Sequence, residues 1–255
     1  MILFSIAFLA HLILLYKHRT WYFSTTAFGA AMEIVGYAFR ILASQVDPYS
    51  VINFVIQYFF IVVAPVFFSA AIYAIINVMV NRVGREYAPL PPKAILWIFI
   101  SCDIIATVVQ VTGSALIGAA ESKRKDPNLG NHILTVGLSF QVFDFALFIA
   151  LLAAFLWNSR KATSSAFKQF SAAVVVATLA VYLRTCFRLA ETAQGVKQYL
   201  FTHEVFFGCL EFLPIVVAVY VFIWYHPGRW LGSKCQRGKA FMDDFLSPQQ
   251  NMSPI

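Results

Sequence analysis

Residues 51–80, VINFVIQYFFIVVAPVFFSAAIYAIINVMV, run for thirty positions without a charged side chain. A helix needs roughly 20 apolar residues to cross a hydrocarbon core about 30 Å thick, and this stretch exceeds that. A membrane-crossing strand would alternate apolar and polar residues over about ten positions, which this stretch does not do. It reads as a transmembrane helix, and that reading fixes the solvent for the rest of the chain. Working outward, further apolar runs fall at about 1–15, 20–43, 94–120, 130–157, 168–190 and 199–225. The expectation is an all-α membrane protein, a bundle of seven transmembrane helices.

Composition agrees. The 255 residues are 60% hydrophobic and 12% charged, with a mean hydropathy of +0.73, too little charge to cover a soluble globule of this size. The net charge of +7 does not point to nucleic acid, because the cations lie between apolar runs instead of gathering on one surface. The cysteines Cys102, Cys186, Cys209 and Cys235 are too widely spaced for a metal motif or a disulfide framework. Only Cys235, after the last span, invites acylation, and a lone juxtamembrane cysteine is a weak signal.

Orientation follows from the loops, since Lys and Arg are retained on the cytoplasmic side. One set of connections holds Lys17, Arg19, Arg82, Arg85, Lys93, Arg160, Lys161, Lys168 and the tail cations Arg229, Lys234, Arg237 and Lys239. The opposite set holds Lys123, Arg124, Lys125 and Lys197. Twelve against four places the N-terminus outside and the C-terminus in the cytoplasm. Residues 1–228 then form one transmembrane domain, and residues 229–255 a cytoplasmic tail, polar and largely disordered. The string YAPLPP (87–92) is read as a stiff, non-helical link. The first span is the short one, about 22 Å at 1.5 Å per residue. Either it starts from a headgroup-level terminus or it belongs to an incomplete gene model. A cleaved signal peptide fits worse, because Lys17 and Arg19 follow the apolar run.

Ionisable groups inside spans carry the functional signal, since each costs at least about 2.5–3.5 kcal/mol near the bilayer centre and has to face the bundle interior or find a partner. Residues three, four or seven apart share a helix face. Five spans obey that spacing: Glu33, Tyr37 and Arg40; Asp103 and Gln110; Gln141 and Asp144; Arg184, Arg188 and Glu191, the last just beyond the sixth span; and Glu204 and Glu211. With the orientation above, Arg40, Arg184, Arg188, Glu191 and Glu204 lie in the outer half. Glu33, Gln110, Gln141, Asp144 and Glu211 lie near the middle, and Asp103 toward the inside. Two readings stay open and are compatible: interhelical hydrogen-bond glue, or a polar pocket opening outward with arginine and carboxylate at its mouth. The acids outnumber the arginines, so either some carboxyls are protonated or a cation or basic amphiphile completes the site.

Pro65 and Pro214 each free a carbonyl one turn earlier and allow kinks. Gly113, Gly137, Gly195 and Gly208 permit close approach. No internal repeat supports an inverted-repeat transporter. Enzyme readings are thin: no P-loop, nucleophile elbow or dinucleotide motif occurs. No three histidines are expected to meet as a zinc site or a lipid hydrolase would require, since His132 and His203 lie outward and His11, His18 and His226 inward. Neither cofactor nor metal is expected.

The strings EIVGYAFR (33–40), APVFFSAAIY (64–73), CDIIATVVQVTG (102–113), GLSFQVFDF (137–145), YLRTCFRLAETAQG (182–195) and HEVFFGCLEFLP (203–214), with HPG (226–228), together resemble the fungal RTA-like, or lipid-translocating exporter, family over nearly the whole chain. The resemblance implies an N-outside, seven-helix protein of the plasma membrane, or else of an endomembrane. It would move or bind amphiphiles such as sphingoid long-chain bases or sterol-like toxic lipids, and so confer resistance to them. Its partners would be membrane lipids and a cationic amphiphile. Carried onto this chain, the family's polar positions are Glu33, Arg40, Asp103, Gln110, Gln141, Arg184, Arg188, Glu191, Glu204 and Glu211. Gly208 departs from the pattern, where an aromatic is common, and the segment ahead of the first span is missing. A seven-span sensor or regulator of lipid stress would use the same parts.

Overall fold

The computed structural model describes residues 1–45, 51–123, 126–161, 163–194 and 207–230. Among these there is no strand. The helices are α1 (Ile2–His18), α2 (Ser24–Gln45), α3 (Val51–Val83), α4 (Pro92–Ser122), α5 (Asn128–Ser159), α6 (Ser165–Gln194), α7 (Leu213–Trp224) and the single turn α8 (Pro227–Trp230). Five segments are long and apolar enough to cross a membrane: Ile56–Val83, Pro92–Ala120, Asn128–Ser159, Ser165–Gln194 and Gly208–Trp230. Helix α1, with 17 residues, is apolar but shorter. The remaining long helix, α2, carries Glu33 and Arg40 within its apolar sequence. Large apolar side chains such as Ile105, Val108, Val136, Phe143, Val176 and Leu179 stand exposed on the flanks of α4, α5 and α6. An apolar surface of that extent belongs against lipid, not water.

Consecutive helices pack side by side, α1 also packs on α7, and α3 reaches α6 across the bundle. Two glycine contacts set the closest approaches. A Cβ on Gly36 would come within 2.8 Å of Ile61 Cγ1, and one on Gly29 within 3.2 Å of the Ala64 carbonyl, so α2 lies directly on α3. Between α4 and α5 the fit is mutual. A Cβ on Gly113 would sit 2.6 Å from Leu134 N, and one on Gly130 2.8 Å from the Gly113 carbonyl. Small residues allow such backbone contact where helix association rests on packing and not on burial from water.

The core is aromatic around α3. Tyr73 lies 4.5 Å, centroid to centroid, from Phe148 and 5.7 Å from Phe99. At the other side, Phe4 of α1 stacks on Tyr37 at 5.6 Å and meets Phe212 edge-on at 5.4 Å. Helix α1 is tied to α7 along its length: the Tyr220 hydroxyl donates to the Leu3 carbonyl (3.2 Å) and His11 Nε2 to the Val219 carbonyl (3.2 Å). At its end His18 stacks on His226 at 5.3 Å, and a Cβ on Gly228 would meet His18 Cβ at 2.6 Å. The HPG string thus ends α7 and seats it against α1.

Four local expectations change. Residues 88–91 are non-helical as read, but the link is shorter than 87–92: Tyr87 closes a 3₁₀ turn (Arg85–Tyr87), and Pro92 is the first residue of α4, where a missing N–H is tolerated. Glu191 lies within α6, which continues to Gln194. Pro214 stands at the start of α7, directly after a π-helical turn at Phe207–Phe212, so the irregularity in the turn before it is a π-turn, where a kink was expected. The histidines His11, His18 and His226 draw together around Phe23, with ring centroids at 5.8 Å (His11–Phe23) and 5.4 Å (Phe23–His226). Among the described residues no group of His, Cys, Asp or Glu is arranged to hold a metal ion. The start of the seventh span, His203, Gly195, Cys235 and the tail from residue 231 lie outside the described residues.

Adding a side chain at the α4–α5 contact drives it into backbone, which cannot move aside as a side-chain end does. Gly113→Val is therefore expected to destabilise the protein by at least about 1–3 kcal/mol, the usual cost of overpacking. Val108→Ala, on the exposed flank, should stay within about 0.5 kcal/mol. Thermal unfolding of the two detergent-solubilised variants checks the contrast.

Candidate functional site

Arg184, on α6, is buried and points at α3. Its Nη2 donates to the Ile61 carbonyl at 2.8 Å and to Glu211 Oε1 at 3.2 Å, and approaches Glu33 Oε1 at 3.9 Å. The Ile61 carbonyl is available for a local reason. Four residues later stands Pro65, inside α3, which has no N–H to donate back. The close seat of Gly36 on Ile61 brings α2 to the same level, and Glu33, one turn before Gly36's neighbour Tyr37, faces the guanidinium. Glu211 comes from the π-helical turn ahead of α7 and is fully enclosed. π-turns recur at functional sites because they redirect a side chain without ending the helix.

Arg188, one turn beyond Arg184, extends the network. Its Nη1 donates to Glu191 Oε2 at 3.0 Å and reaches Glu211 Oε2 at 3.5 Å, while its guanidinium lies over the Tyr58 ring, 4.9 Å from the centroid. Glu211 thus bridges both arginines. Arg40 lies near enough for its charge to act on Tyr37 and Glu191. Buried ions on this scale lose several kcal/mol each in desolvation, recovered only when geometry and hydrogen bonding are good. Satisfaction here is incomplete. Glu33 Oε1 and Oε2, Arg184 Nε and Arg188 Nη2 are buried without a hydrogen-bond partner among the described residues.

A second polar group lies where α3, α4 and α5 meet. The Tyr73 hydroxyl donates to Asp103 Oδ2 at 3.0 Å, and Gln110 Nε2 donates to Gln141 Oε1 at 2.8 Å. Asp144 is one turn from Gln141, with the Cys102 thiol beside it. The two groups are connected, since the Tyr58 hydroxyl pairs with that of Ser114, and Ser114 in turn donates to the Gln110 carbonyl (2.7 Å).

The structure therefore brings together Glu33, Tyr37, Arg184, Arg188, Glu191 and Glu211, with Arg40 beside them, and gathers Asp103, Gln110, Gln141 and Asp144 separately. Glu204 lies outside the described residues. A Cβ at Gly208, the position that departs from the family pattern, would meet no atom of the described residues within 4 Å. Reasoning from charges overlooked α3, which supplies Tyr58, the Ile61 carbonyl and Tyr73. A signal was present: Tyr58, Ile61, Pro65, Ser69 and Tyr73 share the three- and four-residue spacing of one face.

Apolar flanks, several membrane-length helices and an interior reserved for ionic groups define a multi-pass helical membrane protein. The profile described as RTA1 like protein matches residues 26–234, and the chain belongs to that family. It is 28% identical over 266 residues to the sphingoid long-chain base transporter RSB1 of Saccharomyces cerevisiae (strain Lalvin EC1118), covering 89% of this chain and 69% of the relative. It is 29% identical to protein RTA1 of S. cerevisiae, covering 77% of this chain and 62% of the relative. The corresponding values for protein RTM1 of S. cerevisiae are 23%, 77% and 64%. No solved structure matches the chain.

Removing Arg184 takes the cation from beside Glu33 and leaves Glu211 to Arg188 alone. Arg184→Met is expected to lower stability by about 3–5 kcal/mol, the usual result of breaking a buried pair from one side. Arg184→Met/Glu211→Met should recover part of that loss, because the two sites share one interaction. Unfolding transitions of both variants in detergent measure the coupling.

Proposed function

We propose that this protein binds and translocates a single-chain cationic amphiphile of the sphingoid long-chain base class, without covalent chemistry. Seven helices would cross the membrane, N-terminus outside and C-terminus in the cytoplasm, with the plasma membrane as its location. The observation that carries the reading is Glu33: a carboxylate buried in the bundle, 3.9 Å from Arg184 and without a hydrogen-bond donor among the described residues. A long-chain base presents an ammonium group next to hydroxyls. The ammonium would complete Glu33, and the hydroxyl oxygens would accept from the unused Arg184 Nε and Arg188 Nη2. Charge-assisted hydrogen bonds of this kind contribute about 1.5–3 kcal/mol each. The alkyl chain would lie between helices against apolar side chains. The name of the RSB1 relative supports this substrate class, and the single cationic headgroup agrees with the acid-rich interior.

Asp103, Asp144, Gln110 and Gln141 would extend the proposed pathway beyond the ionic network, and Glu204 is proposed to belong to it from the sequence alone. Proteoliposomes holding the purified protein alone should move labelled long-chain base between leaflets. Glu33→Gln, isosteric but uncharged, should reduce that movement by about 10–100-fold, matching the loss of one such hydrogen bond. Saturable binding without movement would instead identify a sensor. Undiminished movement by Glu33→Gln would exclude the acidic site.

A further inference from the structure

The ionic network accounts for Arg40, Arg184 and Arg188 and for the glutamates beside them, but not for the two aspartates. Asp103 on α4 is 1% exposed and Asp144 on α5 6% exposed. Each has an oxygen, Asp103 Oδ1 and Asp144 Oδ2, buried without a hydrogen-bond partner. Their charges are close enough to act on one another and on Tyr73. Neither aspartate takes part in the ion pairs that Arg184 and Arg188 make with Glu33, Glu191 and Glu211 among the described residues.

The neighbours that the described residues supply are neutral. From α3 come Tyr73, which donates at 3.0 Å to Asp103 Oδ2, and Ser69 behind it. From α4 comes Cys102 and from α5 Gln141, at Asp144 and Asp103 respectively. Helix α6 offers only Tyr182, stacked on Phe145 at a centroid distance of 6.1 Å. Phe99, Phe145 and Phe148 close around Tyr73. Gly113 lies against Leu134 and Gly137 against Gln110, a register that sets Asp103 level with Asp144 across the α4–α5 contact, and two carboxylates so placed in a low-dielectric setting without a cation repel one another. Nothing gathers the further oxygens a metal ion would need.

We infer that Asp103 and Asp144, with the Tyr73 hydroxyl fixing Asp103, form a proton-binding site that holds one proton between two carboxyl groups. Tyr73 occupies Asp103 Oδ2, which leaves Asp103 Oδ1 and Asp144 Oδ2, neither with a hydrogen-bond partner among the described residues, as the oxygens available to the proton. The Gln141–Gln110 pair and the Ser114–Tyr58 contact join this site to Arg188, so its occupancy is felt at the ionic network. On the transport reading above, on which only this last use rests, a proton exchanged at the aspartates balances the movement of a cationic substrate.

Infrared difference spectra of the purified, lipid-reconstituted protein test the site without any substrate. A protonated-carboxyl C=O band is expected at neutral pH, absent from Asp103→Asn/Asp144→Asn, shifted in frequency by Tyr73→Phe and retained in Glu33→Gln. In Asp144→Asn the remaining band should disappear at lower pH than in the wild type, because the repelling neighbour is gone. A wild-type spectrum superimposable on that of the double variant, or a band whose titration is unmoved by Asp144→Asn, would overturn the site. In proteoliposomes a pH gradient should change long-chain-base movement several-fold in the wild type and leave Asp103→Asn/Asp144→Asn unaffected. A wild type insensitive to the gradient would overturn the coupling. No wild-type movement at all would refute the transport reading while the carboxyl band stands.

Discussion

The bond from Arg184 Nη2 to the Ile61 carbonyl, 2.8 Å long, cancels two defects at once. A guanidinium inside a membrane needs acceptors that do not move away, and a proline inside a helix leaves a carbonyl with no donor. Pro65 makes the acceptor and Arg184 uses it. Because the acceptor is main chain, the arginine is fixed to the body of α3 and not to a flexible side chain. Gly36 brings α2 onto the same residue, so α2, α3 and α6 meet at one level. Glu33 and Glu211 take their places around a charge already positioned.

Electrostatic partition follows from that anchor. Arg184 and Arg188 sit with Glu33, Glu191 and Glu211, while Asp103 and Asp144 are left with a phenol, an amide and a thiol. Here one group is an ion cluster with spare hydrogen-bonding capacity, and the other an acid pair without a cation. They communicate through short polar contacts along α4 and α5. The junction of α1 and α7 is organised differently. His18, His226 and Phe23 pack ring against ring where α1 meets α7, holding the short first helix to the bundle by aromatic contact.

Most of the architecture could be read from residue order. The thirty uncharged positions at 51–80 and their counterparts define membrane-length helices, and the three- and four-residue spacing of Arg184, Arg188 and Glu191 puts them on one face. Composition and periodicity are local properties, and bilayer thickness turns them into helices. The candidate site was legible as a set of buried charges, and as a resemblance carried by strings such as EIVGYAFR. The role of α3 in that site was not, because its contribution is two tyrosines and a carbonyl, none of them conspicuous in an apolar helix.

Sequence by itself determined that the protein is helical, that it lives in a membrane, and which side chains have to be hidden from lipid. Tertiary structure decided how those side chains are shared out: which carboxylates the arginines take, that Pro65 serves Arg184, that three histidines gather although they lie far apart in the chain. The reason is physical. A charge's cost of burial is written in its own identity, whereas its partner is set by which helix faces approach, and that depends on glycine contacts and helix register acting over the whole bundle.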